Sequence, residues 1–257
     1  MTTVKNIAAI IEATAPRTLA EDWDNPGLAV GDEDAPVSKV LTSLDCDEKV
    51  VDEAIAKGCN MIVCHHPLIF RPMSFITTEN PLGKVVLKAA KHGIAIYSAH
   101  TNLDCAQGGT NDFLCALLGI ENTELCEDIG DGNLVRIGEI SSQPFETFAK
   151  HIAEKLGKKY IRCIGDSKKI ISRVGVCTGG GGDYISDMAD KCHLYITGDV
   201  KYHMARNADE NGVCVAVAEH YETERFAAEI LKNILSDAGV EAICSEENKD
   251  VFYDIYA

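Results

Sequence analysis

The sequence is poor in basic residues. It contains 24 lysines and arginines against 40 aspartates and glutamates, which gives a formal net charge of −16. This charge repels the phosphate backbone of nucleic acids, and no basic stripe along the chain offsets it. The composition therefore disfavours a nucleic-acid duplex as partner. An anionic small molecule is attracted only where bound cations reverse the charge locally.

Long apolar runs and paired cysteines are also missing. No stretch approaches the length of a membrane-spanning helix, and residues 1–16 follow an amphipathic pattern with a polar start rather than that of a signal peptide. We therefore expect a cytoplasmic protein that does not contact a membrane. The 11 cysteines include no C-x-x-C pair. Most lie inside apolar runs, so we expect reduced thiols that pack as small hydrophobic residues.

Strand and helix patterns alternate along almost all of the 257 residues. This alternation predicts the α/β class, and the length is sufficient for two modest domains. Acidic and glycine residues between 119 and 133 indicate a junction. We predict a first domain over 1–128 and a second half over 129–257. The carboxyl-terminal helix and strand belong to the second half unless they pack back on the first domain.

The most informative stretch is the apolar run 60–64, which ends at His65 and His66. Pro67 follows and cannot continue a strand. In an open α/β sheet, functional side chains stand just past the carboxyl ends of the strands. Two adjacent histidines there are candidate metal ligands, although loop histidines that make ordinary hydrogen bonds would give the same pattern.

The same arrangement recurs after three further predicted strands, where histidines and acids follow an apolar run. His220 and Glu224 are four residues apart at the predicted start of a long amphipathic helix, so both side chains lie on one helix face. Such a coincidence of positions favours a common site over independent structural roles. The strands and the residues that follow them are 94–99 with His100 and Asp104, 194–197 with His203, and 213–218 with His220 and Glu224.

The chemistry of the candidate ligands indicates metal-assisted hydrolysis. Histidine with carboxylate and no positioned thiolate suits Zn, Mn or Fe. Five ligands that include two carboxylates are enough for two ions, and two ions about 3.5–4 Å apart activate a shared water. The ligand set is His65, His66, Asp104, His220 and Glu224.

Three other segments have both a structural and a functional interpretation. Trp23 lies in a loop of turn-forming residues and is expected to be a packing anchor rather than a substrate contact. The apolar loop 67–80 is long enough to form a lid or a wall of a site, or to pack against a neighbouring subunit. The glycine run 179–182 either cradles an anion or lets the loop pass close to a metal or to another segment of backbone.

Five motifs, in this order, resemble those of the GTP cyclohydrolase I type 2 homologue family, also called the Ngg-one-interacting-factor-three-like or dinuclear metal centre proteins. The resemblance spans nearly the whole chain. It implies two related α/β domains with a dinuclear metal site in the cleft between them, and a ring-shaped homohexamer. The motifs are WDNPGLAVG, CHHPLIF, SAHTNLD, TGDVKYH and EHYETE.

The resemblance implies the same five ligands for two divalent transition-metal ions. It also places His100 and His203 nearby as proton carriers, and we count these two with Glu224 as the candidate catalytic residues. Three functions are compatible with this set. They are hydrolytic opening of the guanine imidazole ring of GTP, two-metal hydrolysis of another phosphoester or amide, and a metal-binding scaffold without catalysis. The first requires Lys201, Arg206, Arg71 or the glycine run to meet the triphosphate.

Overall fold

A computed structural model of the chain describes residues 2–126, 134–253 and 255. Short 3-10 helices span Arg17–Leu19 and Gly181–Met188. The α-helices of the described residues are α1 (Val4–Thr14), α2 (Glu48–Ala56), α3 (Pro81–Lys91), α4 (Thr101–Cys105), α5 (Thr110–Leu118), α6 (Phe145–Leu156), α7 (Tyr202–Glu210), α8 (His220–Glu224) and α9 (Ala227–Asp237). The strands are β1 (Gly27–Val30), β2 (Val40–Ser43), β3 (Met61–Cys64), β4 (Ala95–Ser98), β5 (Glu121–Leu125), β6 (Arg136–Pro144), β7 (Arg162–Ile164), β8 (Ile170–Cys177), β9 (Leu194–Thr197), β10 (Cys214–Val217) and β11 (Ala242–Cys244).

These elements form two compact units. The first comprises Met1–Ala106 and Phe226–Ala257, and the second comprises Gln107–Arg225. The predicted boundary between residues 128 and 129 lies outside the described residues. The second unit begins before it, because α5 packs against strands of the second sheet. The carboxyl-terminal elements α9 and β11 belong to the first unit.

The first unit is built on a sheet with the strand order β1-β4-β3-β2-β11. All of its pairs are parallel except β1 with β4. One face packs against α2 and α3 through a cluster that includes Leu41, Ile62 and Ile96. On the other face, the Thr42 hydroxyl donates to the Ala228 carbonyl of α9 at 2.8 Å. Helices therefore cover both faces, which explains why β2, β3 and β4 are buried along their whole lengths and have apolar runs.

The second unit contains a sheet with the order β5-β6-β8-β9-β10-β7. Its central strands β8, β9 and β10 are parallel, and the outer pairs are antiparallel. The helices α5 and α6 pack against β6, and α7 packs against β10. The two sheets with their helices confirm the α/β class that the sequence predicts.

One predicted element is wrong. The sequence suggests a single long helix from His220 through Leu235, but α8 ends at Glu224 and α9 begins at Ala227. The break falls where the chain leaves the second unit for the first. The apolar residues after the break, which include Leu231 and Leu235, are buried in the first unit. Because the two segments pack in different units, the apolar periodicity continues although the helix does not.

No helix among the described residues combines the length and the apolar character that crossing a membrane requires.

Candidate metal centre

Three histidines and one aspartate stand just past the carboxyl ends of two neighbouring strands in the first unit. His65 and His66 follow β3, His100 follows β4, and Asp104 lies in α4 directly afterwards. Because β3 and β4 are parallel, their carboxyl ends lie at the same edge of the sheet. The structure thus brings these four predicted residues together.

The three imidazole rings lie in contact distance of one another. Ring centroids are 5.3 Å apart for His65 and His66, 5.2 Å for His65 and His100, and 5.6 Å for His66 and His100. One ring nitrogen from each lies within 4.8 Å of the other two, so the three could hold one metal ion. The Nε2 atom of the fully buried His65 is 3.4 Å from Oδ1 of Asp104. His100, predicted as a proton carrier, is therefore also placed as a possible ligand.

The ring nitrogen Nδ1 is engaged by an oxygen acceptor in all three histidines. A carbonyl or carboxylate oxygen accepts only from a protonated Nδ1, so Nε2 carries the lone pair in the neutral ring. Metal-binding histidines are commonly fixed in this way by a second hydrogen bond. The Nδ1 partners are the Ala99 carbonyl for His65, the Asp45 carboxylate for His66 and the Asp24 carboxylate for His100, each at 2.8 Å.

Asp24 is the centre of a hydrogen-bond network behind His100. Its carboxylate is buried and also accepts from the Thr101 backbone N–H at 3.1 Å, the Thr101 hydroxyl at 2.5 Å and the Asn25 N–H at 2.7 Å. Burial alone would raise the pKa of Asp24. The hydrogen bond and the charge of His100, together with the hydrogen bonds from Thr101 and Asn25, outweigh this effect and lower the pKa to about 2. The carboxylate is thus ionised and fixes the orientation of the His100 ring.

Trp23 precedes this carboxylate, and its ring makes edge contacts with His100 and Phe70 at 6.2 and 6.0 Å between centroids. Trp23 is 56% exposed, so these contacts cover only part of the residue. The predicted packing role is present but incomplete.

The second unit presents a histidine and a carboxylate on the short helix α8. The Nε2 atom of His220 is 2.8 Å from Oε2 of Glu224, which confirms that the four-residue spacing places both on one face. Nδ1 of His220 is 2.6 Å from Oδ2 of Asp199, which follows β9. The hydrogen bonds that His220 donates to Asp199 and then to Glu224 raise its pKa to about 10. This imidazole is therefore protonated at neutral pH.

Two glycines allow the chain to approach α8 closely. Gly179 has φ +61°, and a Cβ atom there would lie 1.8 Å from Oε1 of Glu224. A Cβ atom on Gly198 would lie 2.8 Å from the Cα atom of His220. Of the two roles weighed for the glycine run, the structure supports close passage of the backbone at Gly179.

The remaining predicted residues lie elsewhere. His203 is an exposed residue at the start of α7, and Lys201 precedes it, also exposed. Arg206 pairs with Glu210 at 2.8 Å on the same helix. Among the described residues, no hydrogen bond or ion pair joins His203 to His220 or Glu224. The exposed Arg71 lies in the loop after Pro67.

That loop forms part of a cavity wall in the first unit. A cavity of about 880 Å³ is lined by His66, Pro67 and Leu68, together with residues of α2, α3 and the carboxyl-terminal tail. Phe70 and Phe75 further along the loop are exposed. The structure therefore supports the wall interpretation for its first residues.

Sequence reasoning missed the three acids that anchor Nδ1 atoms. Asp45 and Asp199 each come shortly after a predicted strand, which is the same signal that identifies the histidines. Asp24 has no such signal, because it lies 76 residues before its partner His100 in a loop of turn formers. Only the tertiary fold reveals that pair.

The fold and site define an α/β protein with two sheets and with histidine and acidic groups that can bind a metal ion. A protein-family model described as Duf34/NIF3 (NGG1p interacting factor 3) matches residues 2–251. The chain belongs to this family, as the motifs of the sequence suggest.

Curated relatives carry the name GTP cyclohydrolase 1 type 2 homolog. The chain is 35% identical to one from Clostridium acetobutylicum over 243 residues, covering 91% of this chain and 90% of the relative. It is also 35% identical to one from Lactococcus lactis over 249 residues, covering 95% and 96%.

Solved structures have the same fold. A Bacillus cereus protein related to NIF3 superposes with a TM-score of 0.90 at 26% identity, covering 99% of both chains. Reduced HcgD from Methanocaldococcus jannaschii superposes with a TM-score of 0.85 at 32% identity, covering 95% of this chain and 98% of that one.

Proposed function

We propose that the protein is a metal-dependent hydrolase with a dinuclear centre. The observation that carries this proposal is the common orientation of the histidines in both units, whose Nδ1 atoms each bond to an oxygen atom, so that Nε2 is the nitrogen that a metal ion would use. Structural histidines need no common orientation, whereas metal ligands do. The proposed ligands of two divalent transition-metal ions are His65, His66, Asp104, His220 and Glu224.

The donor set fits such ions. Imidazole nitrogen and carboxylate oxygen suit Zn, Mn or Fe, and the carboxylates of Asp104 and Glu224 are buried. A buried carboxylate is costly unless positive charge or hydrogen bonds compensate it, and a divalent cation supplies such charge. When bound, two ions activate water for attack and stabilise the negative charge that develops during hydrolysis.

The chain itself supplies a proton carrier beside these ligands. His100 donates from Nδ1 to Asp24, so Nε2 of the neutral ring can accept a proton. Asp24 stabilises the imidazolium that results, because its carboxylate stays ionised. We retain His203 as a second candidate carrier, and Glu224 as a candidate catalytic residue besides its role as a ligand.

The substrate that we favour is GTP, hydrolysed at C8 so that the imidazole ring of guanine opens. The names of the curated relatives support this choice. The second candidate is another phosphoester or amide, which the same two-metal chemistry would serve. The third is a metal-binding scaffold without turnover.

A substrate screen with a matched pair of variants tests the proposal. The metal-loaded protein is assayed with GTP, by the loss of the guanine absorbance band, and with generic phosphoesters and amides. Glu224→Gln should abolish turnover, whereas Glu229→Gln, an exposed residue of α9, should not change it. Turnover of an ester or amide alone would favour the second candidate. Unchanged activity in Glu224→Gln would contradict the proposed hydrolase, and so would a parent that turns over none of the tested compounds.

Two expectations from the sequence stay predictions. One is the cytoplasmic location, and the other is the ring-shaped homohexamer. Light scattering distinguishes a hexamer from a monomer directly.

A further inference from the structure

The residue directly before His220 has a backbone conformation that its side chain disfavours. Glu219 has φ +69° and ψ 143°, and the only other non-glycine residue with positive φ in the described chain is Asn122. Asparagine tolerates this half of conformational space, whereas glutamate does not. Such strain persists only where the surrounding structure enforces it, and it is concentrated at functional sites.

Contacts from two directions hold Glu219 in place. Its carbonyl accepts from the Thr223 N–H at 3.2 Å and from the Thr223 hydroxyl at 3.1 Å. Its side-chain carboxylate pairs with the ammonium group of Lys158, whose side chain is 14% exposed. Lys158 is itself fixed just past α6, where its N–H donates to the Ala153 carbonyl at 2.8 Å. The ion pair therefore ties the strained residue to an independent helix of the same unit.

The position of His220 depends on this backbone. Its ring must reach Asp199 with Nδ1 and Glu224 with Nε2, at 2.6 and 2.8 Å. The Cα atom of His220 also lies so close to Gly198 that a side chain at position 198 would clash with it. A relaxed φ at Glu219 would change the direction of the peptide bond between Glu219 and His220. The His220 ring could then not keep its contacts with both Asp199 and Glu224.

We propose that the Lys158–Glu219 ion pair is a positioning device, which holds the strained backbone and thereby sets the His220 ring against Asp199 and Glu224. Its consequence for metal affinity rests on the proposed metal centre. Neither residue is assigned as a ligand or as a catalytic group. Without the pair, relaxation of the strain turns the imidazole away from the geometry that a metal ligand needs.

Glycine distinguishes this mechanism from a direct effect of the carboxylate. Glu219→Ala and Glu219→Gly both remove the ion pair, but only glycine adopts φ +69° without strain. We expect Glu219→Ala to weaken the affinity of the full-length protein for Co²⁺ about tenfold, and Glu219→Gly to stay within about twofold of the parent. Lys158→Met should resemble Glu219→Ala, and adding Glu219→Gly to it should restore the affinity. Lys150→Met is the matched control, because Lys150 pairs with Glu146 on the outer face of α6.

A second measurement does not require metal. The ¹H–¹⁵N resonances of the His220 ring in the metal-free protein report its two hydrogen bonds. They should shift in Glu219→Ala and Lys158→Met, and remain at the parent values in Glu219→Gly. A parent that binds no Co²⁺ would contradict the proposed metal centre, while the resonances still test the positioning. The positioning role would be overturned if Glu219→Ala and Glu219→Gly, both folded, changed the resonances equally, or if neither changed them.

Discussion

The carboxylate of Asp24 accepts a hydrogen bond from Nδ1 of His100 at 2.8 Å, across 76 residues of sequence. This pair fixes which nitrogen of the neutral His100 ring carries the proton. It also places an ionised, buried acid where a positive charge on the imidazole would be stabilised.

Asp24→Asn should lower turnover by about 10- to 100-fold while bound metal stays unchanged, because asparagine cannot enforce the same His100 tautomer. Activity and elemental analysis on the same samples test this. Asp22→Asn, an exposed change in the same loop, is the control and should have parental activity. Full activity in Asp24→Asn would remove the pair from the mechanism.

The same carboxylate should make stability depend on pH. Its pKa is about 2 in the folded protein against 3.8 when unperturbed. A lowered pKa gives stability that is fully present above about pH 4 and is lost as the pH falls towards 2. The contribution is about 2 kcal/mol. Denaturant unfolding of the metal-free parent and Asp24→Asn should show a gap of this size at pH 7 that narrows below pH 4. A difference in unfolding free energy that does not change with pH would contradict this role of the Asp24 carboxylate.

His220 should bind metal in competition with a proton. Its pKa of about 10 in the metal-free protein means that metal affinity rises with pH up to that value. The raised pKa also stabilises the fold below about pH 6.5, and this stability is lost as the pH rises through about 10. Calorimetry of Zn²⁺ binding at pH 8, in buffers of different ionisation enthalpy, measures the proton released.

Asp199→Asn removes the first cause of the raised pKa and should reduce that proton release. The exposed Asp209→Asn on α7 should not. Equal proton release from the parent and Asp199→Asn would contradict the assigned cause.

Gly179→Ala should damage the ligand pair of the second unit. Its Cβ atom would overlap Oε1 of Glu224, and alanine at φ +61° is strained. We expect at least a tenfold loss of metal affinity and destabilisation of about 1–3 kcal/mol. Gly180→Ala is the matched control, since a Cβ atom there meets nothing within 4 Å. Parental affinity in Gly179→Ala would show that the close approach is unimportant.

The strand ends were predictable because helices bury both faces of the first sheet. The run that becomes β3 is apolar at every position and stops at His65, so the sequence marks the edge where the ligands stand. The amphipathic pattern within residues 1–16 forms the helix Val4–Thr14. Strong local signals, such as the Thr3 capping box of α1, account for this agreement.

What the sequence could not show depends on contacts between distant segments. The short strand β1 lies in a loop of turn formers and is stabilised by pairing with β4, so its local pattern is weak. The break between α8 and α9 leaves the apolar periodicity intact and is set by the separate packing of the two segments. Asp24, the partner of His100, likewise comes from a distant loop, which is why it was not predicted, whereas Asp199 follows a predicted strand and carried a usable signal.

The most direct test of the dinuclear centre is elemental analysis after reconstitution with Zn²⁺, Mn²⁺ or Fe²⁺. The parent should hold about two ions per chain, as the five proposed ligands imply. His65→Ala and His220→Ala should each lose metal and remain folded, whereas the exposed His92→Ala should match the parent. A stoichiometry near zero in the parent, or one that neither ligand substitution changes, would contradict the metal centre.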